Sequence, residues 1–421
     1  MKDMKESGIE WIGKIPQDWT LRRIQYCLSE IKVQNNPIQT EQVLSLVKDV
    51  GVMLYEEKGD VGNKSKTDVS EYKLAFPHTL VVNSMNILIG SVGISNYFGC
   101  VSPVYYVFKE TDAVDLRYID YIFNTREFQR ELRKYANGIL EIRLRVSADD
   151  IFKRRIPMPS KTEQVEIADY LDAKCAEIDT LSADIQSEID TLEAYKRSVI
   201  TETVTRGITS LGFVNTGSNV WSAVPEKWRL VNIKYLFEIV KRIAGKEGYD
   251  ILAITKQGIK VKDISLNEGQ IASDYSGYQF VYPGDFAMNC LDLNAGWIDI
   301  SRLFGVTSPD YRVFRLREQN NHCADYYKYL FQMCYTEKIF YSLTQGVTES
   351  YRRLPASVFN NFKVPVPPKD EQVQIATFLD KICGEVDTII AQKREQLTVL
   401  ADYKKSVIYE YVTGKKEAPV I

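Results

Sequence analysis

Lys64 and Lys66 stand in a Gly-flanked polar loop, and Lys256, Gln257, Lys260 and Lys262 form its rough counterpart in the second half of the chain. Asn86, Ser91 and Asn96 cluster after a V-V-N-S segment, where the later copy places Asn294, Trp297 and Arg302. GILEIRLR (138–145), with Arg143 and Arg145, aligns with GVTESYRR (346–353), with Arg352 and Arg353; Gly138, Glu141 and Arg145 fall on Gly346, Glu349 and Arg353. These residue types suit a nucleic acid: Arg and Lys for phosphates and guanine edges, Asn for adenine. The plain alternative is ordinary loop polarity. Asn83 and Asn289, identical in both copies, read as structural, because positions that read different base pairs should differ.

Groups for making and breaking bonds are scarce. Only His78 and His322 are present, which leaves little scope for a triad. Cys27, Cys100, Cys175, Cys290, Cys323, Cys334 and Cys383 form no CxxC pair, so free buried thiols are expected rather than zinc. GDVGNKS (59–65) lacks phosphate-loop spacing and reads as a turn. Asp149 and Asp150 read as the start of a short helix. The Asn/Asp-Pro-Pro-aromatic tetrapeptide with which amino-methyltransferases grip a base is missing from the sequence.

The elements that must hold these loops are duplicated. IPQDWTLRRIQY (15–26) aligns with VPEKWRLVNIKY (224–235), matching Pro16, Trp19 and Tyr26 with Pro225, Trp228 and Tyr235. Residues 76–108 align with 282–314, including Asn83 with Asn289, Gly90 with Gly296 and Phe108 with Phe314. IPMPSKTEQVEIADYLD (156–172) aligns with VPVPPKDEQVQIATFLD (364–380), continuing to YKRSVI and YKKSVI. Three collinear blocks at near-constant separation establish an internal repeat.

Ser160 to Arg206 reads as one long helix, with Ser160 and Glu163 as a capping box and Gly207 as the stop. Leu171, Ile178, Ile185, Leu192 and Val199 recur every seven residues, with Ile167, Leu181 and Tyr195 in the alternate position. The second copy, about Lys369 to Thr413, carries Leu379, Val386, Leu400 and Val407 with Ile375, Ile382, Ile389 and Tyr403; Lys393 breaks its seam. The two helices are expected to pack antiparallel as a coiled coil. VLSLV, TLVVN, VYYVF, ILAIT and YRVFRL read as strands, and residues 118–136 and 324–343 as helices. The fold class is therefore mixed α/β (α+β): two duplicated globular domains joined by two long helices. Boundaries fall at 1–158 and 207–366 for the globular parts, 159–206 and 367–414 for the spacer helices, and 415–421 for a tail.

The net charge of −3 is unevenly spread. Residues 1–158 hold 22 basic against 21 acidic side chains and 207–366 hold 18 against 15, whereas 159–206 hold 5 against 11. The globular parts are mildly basic, a weak footprint that calls for partners to supply much of any phosphate contact. No long apolar run or signal-peptide core is seen, so no membrane span and a cytoplasmic address are expected.

The chain resembles the specificity subunit of Type I restriction-modification enzymes. The carriers are the GIEWIGKIPQDW opening, the VNSMN…VSPVY and MNCLD…TSPDY blocks, and above all the duplicated P-x-P-x-K-x-E-Q-x-x-I-A-x-(Y/F)-L-D helix start. The resemblance implies two target-recognition domains, each reading half of a bipartite site in double-stranded DNA, held apart by two helices. It further implies two modification subunits that bind S-adenosylmethionine and methylate adenine, and restriction subunits that use ATP. Those cofactors, with Mg2+, would sit on the partners, and this chain would be non-catalytic. Lys393 would mark a contact with a modification subunit. Two rival readings remain at this point: a methyltransferase or nuclease with an unfamiliar site, and a coiled-coil adaptor that never touches DNA.

Overall fold

Alternation of β-branched and aromatic residues builds the same four-stranded antiparallel sheet twice. In the first copy the order is Leu28–Glu30, Tyr105–Glu110, Thr79–Asn83, Val92–Ser95. In the second it is Phe237–Val240, Arg312–Leu316, Phe286–Met288, Ile298–Ile300. The computed structural model describes residues 3–48, 50–59, 68–138, 144–209, 212–263, 274–294, 296–344 and 353–419. The chain divides into two compact units, Met1–Gln186 with Arg394–Ile421, and Ser187–Lys393. The class is mixed α/β, as the sequence predicts.

Within each unit smaller strand pairs recur in matched places. A ribbon pairs Thr20–Arg23 with Arg155–Met158, and its copy pairs Arg229–Asn232 with Lys363–Val366. A hairpin joins Leu44–Val47 to Gly51–Leu54, and its copy joins Leu252–Thr255 to Gly258–Val261. The predicted helix over 118–136 is two, Leu116–Phe123 and Arg126–Arg133, because the Thr125 hydroxyl accepts the Phe128 amide and starts a new helix. Asp149 and Asp150 lie in the first turn of the helix Ala148–Lys153, capped by Ser147. The helices bury Tyr118, Phe123 and Phe128 in one unit. In the other, Phe237, Phe286, Phe314 and Phe331 pack ring against ring, with centroids 5.2–6.1 Å apart.

The repeated helix start is an anchor in which the matched polar side chains have matched partners. In the first unit the long helix Lys161–Arg206 begins beneath the ribbon. The buried Gln164 amide accepts from Asp115 N at 3.0 Å and donates to Pro159 O at 3.1 Å. Glu163 accepts from the Trp19 indole at 3.1 Å, and Lys161 donates to Asp112 O at 2.7 Å. In the second unit the long helix Lys369–Val412 begins the same way. Gln372 accepts from Cys323 N at 2.9 Å and donates to Pro367 O at 2.9 Å; Glu371 accepts from the Trp228 indole at 3.0 Å; Lys369 donates to Asn320 O. A buried tyrosine closes each anchor. Tyr118 donates to Pro157 O and Val412 O, and Tyr326 to Pro365 O and Val204 O.

In both units the two helices run antiparallel. Asp179 meets Lys404 at 2.6 Å in the first, and Lys196 meets Asp387 at 2.6 Å in the second, the same pair in reciprocal positions. Leu171, Ile178, Ile185, Leu379, Val386 and Val407 are buried as expected. The alternate position is right at the start of each helix, where Ile167 and Ile375 are buried, but needs correction farther along. Leu181, Tyr195, Ile389 and Tyr403 are 47%, 51%, 41% and 46% exposed, while Cys175, Ile189, Cys383 and Ile390 are buried. The stripe carries apolar residues at three positions per heptad, and the helix rotation selects the set four residues after the first. Lys393 is also corrected: it pairs with Glu188 of the facing helix. Such partly exposed pairs contribute little energy, about 0–1 kcal/mol each, but they mark the register.

Gln164→Leu strands the Asp115 amide and Pro159 carbonyl. It should cost about 1–3 kcal/mol for each buried group left unsatisfied. Hydrogen exchange read by peptide should quicken over 113–123 while 321–336 stay protected; equal protection in both would show the clamp to be dispensable.

Candidate nucleic-acid interface

Two of the three loop clusters converge in each unit, around the repeated asparagine. Asn83 is buried, and its side-chain oxygen accepts the Met85 amide at 3.1 Å, which tightens the turn leading to exposed Asn86. Asn289 accepts from Leu291 N at 3.1 Å, and its carbonyl accepts from the Tyr335 hydroxyl at 2.5 Å. These asparagines build the turn. Exposed Asn294 follows in the second copy. The foot of the third cluster lands on the residue after each asparagine: Val146 N donates to Ser84 O at 3.1 Å, and Leu354 N to Cys290 O at 3.0 Å.

Arg145 and Arg353 sit at those feet, exposed. Arg145 also forms an antiparallel bridge with Asn137, with backbone bonds of 2.8 and 2.9 Å, and its guanidinium approaches Met85 Sδ at 3.8 Å. Arg353 lies 3.5 Å from Asp310 in an open ion pair. Both can pivot toward a ligand, since neither is locked by burial.

The first cluster occupies a separate hairpin. Lys256 is exposed in the turn joining Leu252–Thr255 to Gly258–Val261, and Lys260 is exposed on the returning strand. The hairpin turn faces Asp299: a Cβ added at Gly258 would lie 3.4 Å from its carboxylate. Burial raises the Asp299 pKa, opposed by Lys328 and Arg302. Arg302 is exposed two residues beyond the strand Ile298–Ile300. Ser91 is withdrawn from the surface: it is 3% exposed, and its hydroxyl donates to Leu46 O at 3.4 Å, so it belongs to the packing of the hairpin. Lys64, Lys66, Arg143 and Arg352 lie outside the described residues.

Sequence reasoning missed Tyr106 and Arg312. Tyr106 donates to Val146 O at 3.2 Å, and Arg312 donates to Leu354 O at 2.7 Å. Arg312 is 6% exposed, and its guanidinium lies 4.8 Å from the Phe359 ring. Burial pushes its pKa down, opposed by the Cys290 and Tyr335 side chains. The signal was present: an arginine inside the apolar strand YRVFRL is out of place unless it reaches a buried acceptor.

A family model described as the Type I restriction modification DNA specificity domain matches residues 298–399. A Type I restriction enzyme MjaVIII specificity subunit from Methanocaldococcus jannaschii is 23% identical, over 96% of this chain and 94% of that protein. A putative MjaX specificity subunit from the same organism is 22% identical over 96% and 95%. The chain is thus similar to Type I specificity subunits along nearly its whole length. Solved structures agree in fold. A chain from a study of complex assembly and conformational transition of the type I R-M system aligns with a TM-score of 0.70 at 13% identity, covering 96% of this chain and 99% of that one. The HsdS subunit from Thermoanaerobacter tengcongensis aligns at 0.50 and 13%, over 98% and 100%. Among the described residues no helix of this chain is long and apolar enough to cross a membrane, and no His, Cys, Asp and Glu group is arranged to hold a metal.

The turn after each asparagine needs glycine for different reasons. Gly90 has φ +85°, whereas a Cβ on Gly296 would sit 2.0 Å from Asp292 O. Gly296→Ala must open the turn and should destabilise the second unit by about 1–3 kcal/mol. Thermal unfolding with peptide-resolved exchange over 289–297 checks this; wild-type protection there would show that the turn is not constrained.

Proposed function

We propose that each repeat reads one half of a bipartite double-stranded DNA site. The observation that carries this is the pair of equivalent loop feet. The scaffold around them is the same in both units, and each foot carries an exposed arginine, Arg145 or Arg353, while the exposed residue just past the last sheet strand differs, Asn96 in one and Arg302 in the other. Constant support with variable exposed donors suits two readers of different half-sites. Lys256 and Lys260 on the neighbouring hairpin, and Lys64, Lys66, Arg143 and Arg352 by sequence position, supply further phosphate or base contacts.

The chain's part is recognition, and methyl transfer belongs to partners. Two modification subunits bind S-adenosylmethionine, and restriction subunits, where present, use ATP and Mg2+. The exposed helix residues support a partner present twice. Leu181 with Tyr403 in one unit and Tyr195 with Ile389 in the other are the same repeat positions, left uncovered by the helix pairing. The protein operates in the cytoplasm, where its DNA target lies.

Arg145→Ala and Arg353→Ala should each impair reading of one half-site, a different one for each variant. A base contact would cost about 1–3 kcal/mol and relax one position; a phosphate contact would lower the salt slope of binding by about one for every sequence. Binding titrations against salt on two half-site probes distinguish these. Unchanged binding by both variants removes the arginines from the interface. Tyr403→Asp and Tyr195→Asp should each reduce co-purification of a modification subunit while leaving the melting temperature of the isolated chain near that of wild type. Full retention of both partners would move the docking site elsewhere.

A further inference from the structure

The two loop feet are held by groups that differ in chemistry but act on the same atom. Tyr106 and Arg312 occupy equivalent places, since Tyr106 pairs with Val82 and Arg312 with Met288 in matching sheets. Each donates to the carbonyl of the buried residue that follows the exposed arginine: Val146 after Arg145, and Leu354 after Arg353. That residue's amide is already fixed to Ser84 O or Cys290 O. Both backbone polar groups of the foot are thus tied down.

Arg312 does more than reach the carbonyl. Its other nitrogen lies 3.9 Å from Met288 Sδ, and its plane lies against Phe359, which stands where the first repeat has Ile151. Burying a guanidinium is costly unless its donors are used. Here the strong donor contact, at 2.7 Å, goes to the loop foot, so the cost is tied to holding that foot in place. The phenol of Tyr106 does the same in the first unit with no charge to bury.

We propose that Tyr106 and Arg312 are positioning residues for DNA reading, each bracing the loop foot of its own repeat and each governing one half-site only. This rests on the reading of the repeats as half-site readers. Neither side chain is placed against DNA; each acts through the exposed arginine next to the carbonyl it holds.

The test uses the full complex of this chain with its modification subunits, acting on a DNA library randomised across the target, with methylated molecules sequenced. Wild type should return two defined half-sites. If it returns none, the half-site reading fails, whatever the braces do. Tyr106→Phe, which removes one hydroxyl, should relax one half-site by roughly tenfold, the scale of losing one good contact, and leave the other intact. Arg312→Met, which keeps the length but no donors, should relax the opposite half-site. Arg312→Lys, which restores a donor, should recover part of that loss. Should Arg312→Met prevent assembly, Tyr106→Phe still decides the matter in the first repeat. Wild-type discrimination in Tyr106→Phe, equal weakening of both half-sites, or no recovery in Arg312→Lys from an assembled Arg312→Met defect would overturn the proposal.

Discussion

The buried amide of Gln164, with its copy Gln372, is the constraint on which the rest depends. One side chain satisfies the amide of the residue that caps the helix after the sheet and a carbonyl just past the ribbon, while its own backbone opens the long helix. A glutamine can do this because its head carries both acceptor and donor. Burial makes the arrangement demanding, since a partner lost inside strands a polar group out of reach of water. The helix therefore leaves each unit in one direction and with one rotation about its axis. That rotation decides which of three apolar positions per heptad face the other helix, and so which residues remain outside for a partner.

The neighbouring contacts explain why the motif contains its particular residues. Glutamate is used where an indole must be held, because a carboxylate forms a stronger bond with N–H than a neutral acceptor does. Lysine reaches across a gap to a loop carbonyl in both copies. The prolines remove donors that the ribbon edge could not satisfy. None of these groups needs to face a ligand. The conspicuous repeated motif is the mounting, and the less conspicuous loops carry the candidate contacts.

Much of this was legible before any coordinates. The duplication, the strands Thr79–Asn83 and Arg312–Leu316, and both long helices follow from repeated blocks and period. The seam was half legible. Leu181 and Tyr195 have the right spacing and character for the interior, and only the anchor's rotation turns them outward. The candidate site has its residue types in the sequence but not their proximity. No local rule places Val146 against Ser84, or Leu354 against Cys290, since those bonds cross more than sixty positions of chain. Ser91 shows the opposite failure. It has suitable chemistry and a suitable loop, yet the crossing hairpin covers it and claims its hydroxyl.

On the proposed reading of two half-sites, a duplicated protein faces a conflict between sameness and difference. Packing favours keeping every supported position, because each loss strands a partner. Recognition favours changing whatever touches DNA. The structure separates the two at single-residue resolution. Ser84 and Cys290 offer the same backbone acceptor, so their side chains are free to differ. Tyr106 and Arg312 keep one bond while exchanging phenol for guanidinium. Gly90 and Gly296 keep the residue while its reason changes from backbone conformation to close approach. What is held constant across the repeats is the hydrogen bond or the turn, not always the side chain. Recognition can therefore diverge at the loops while the folding instructions beneath them stay paired.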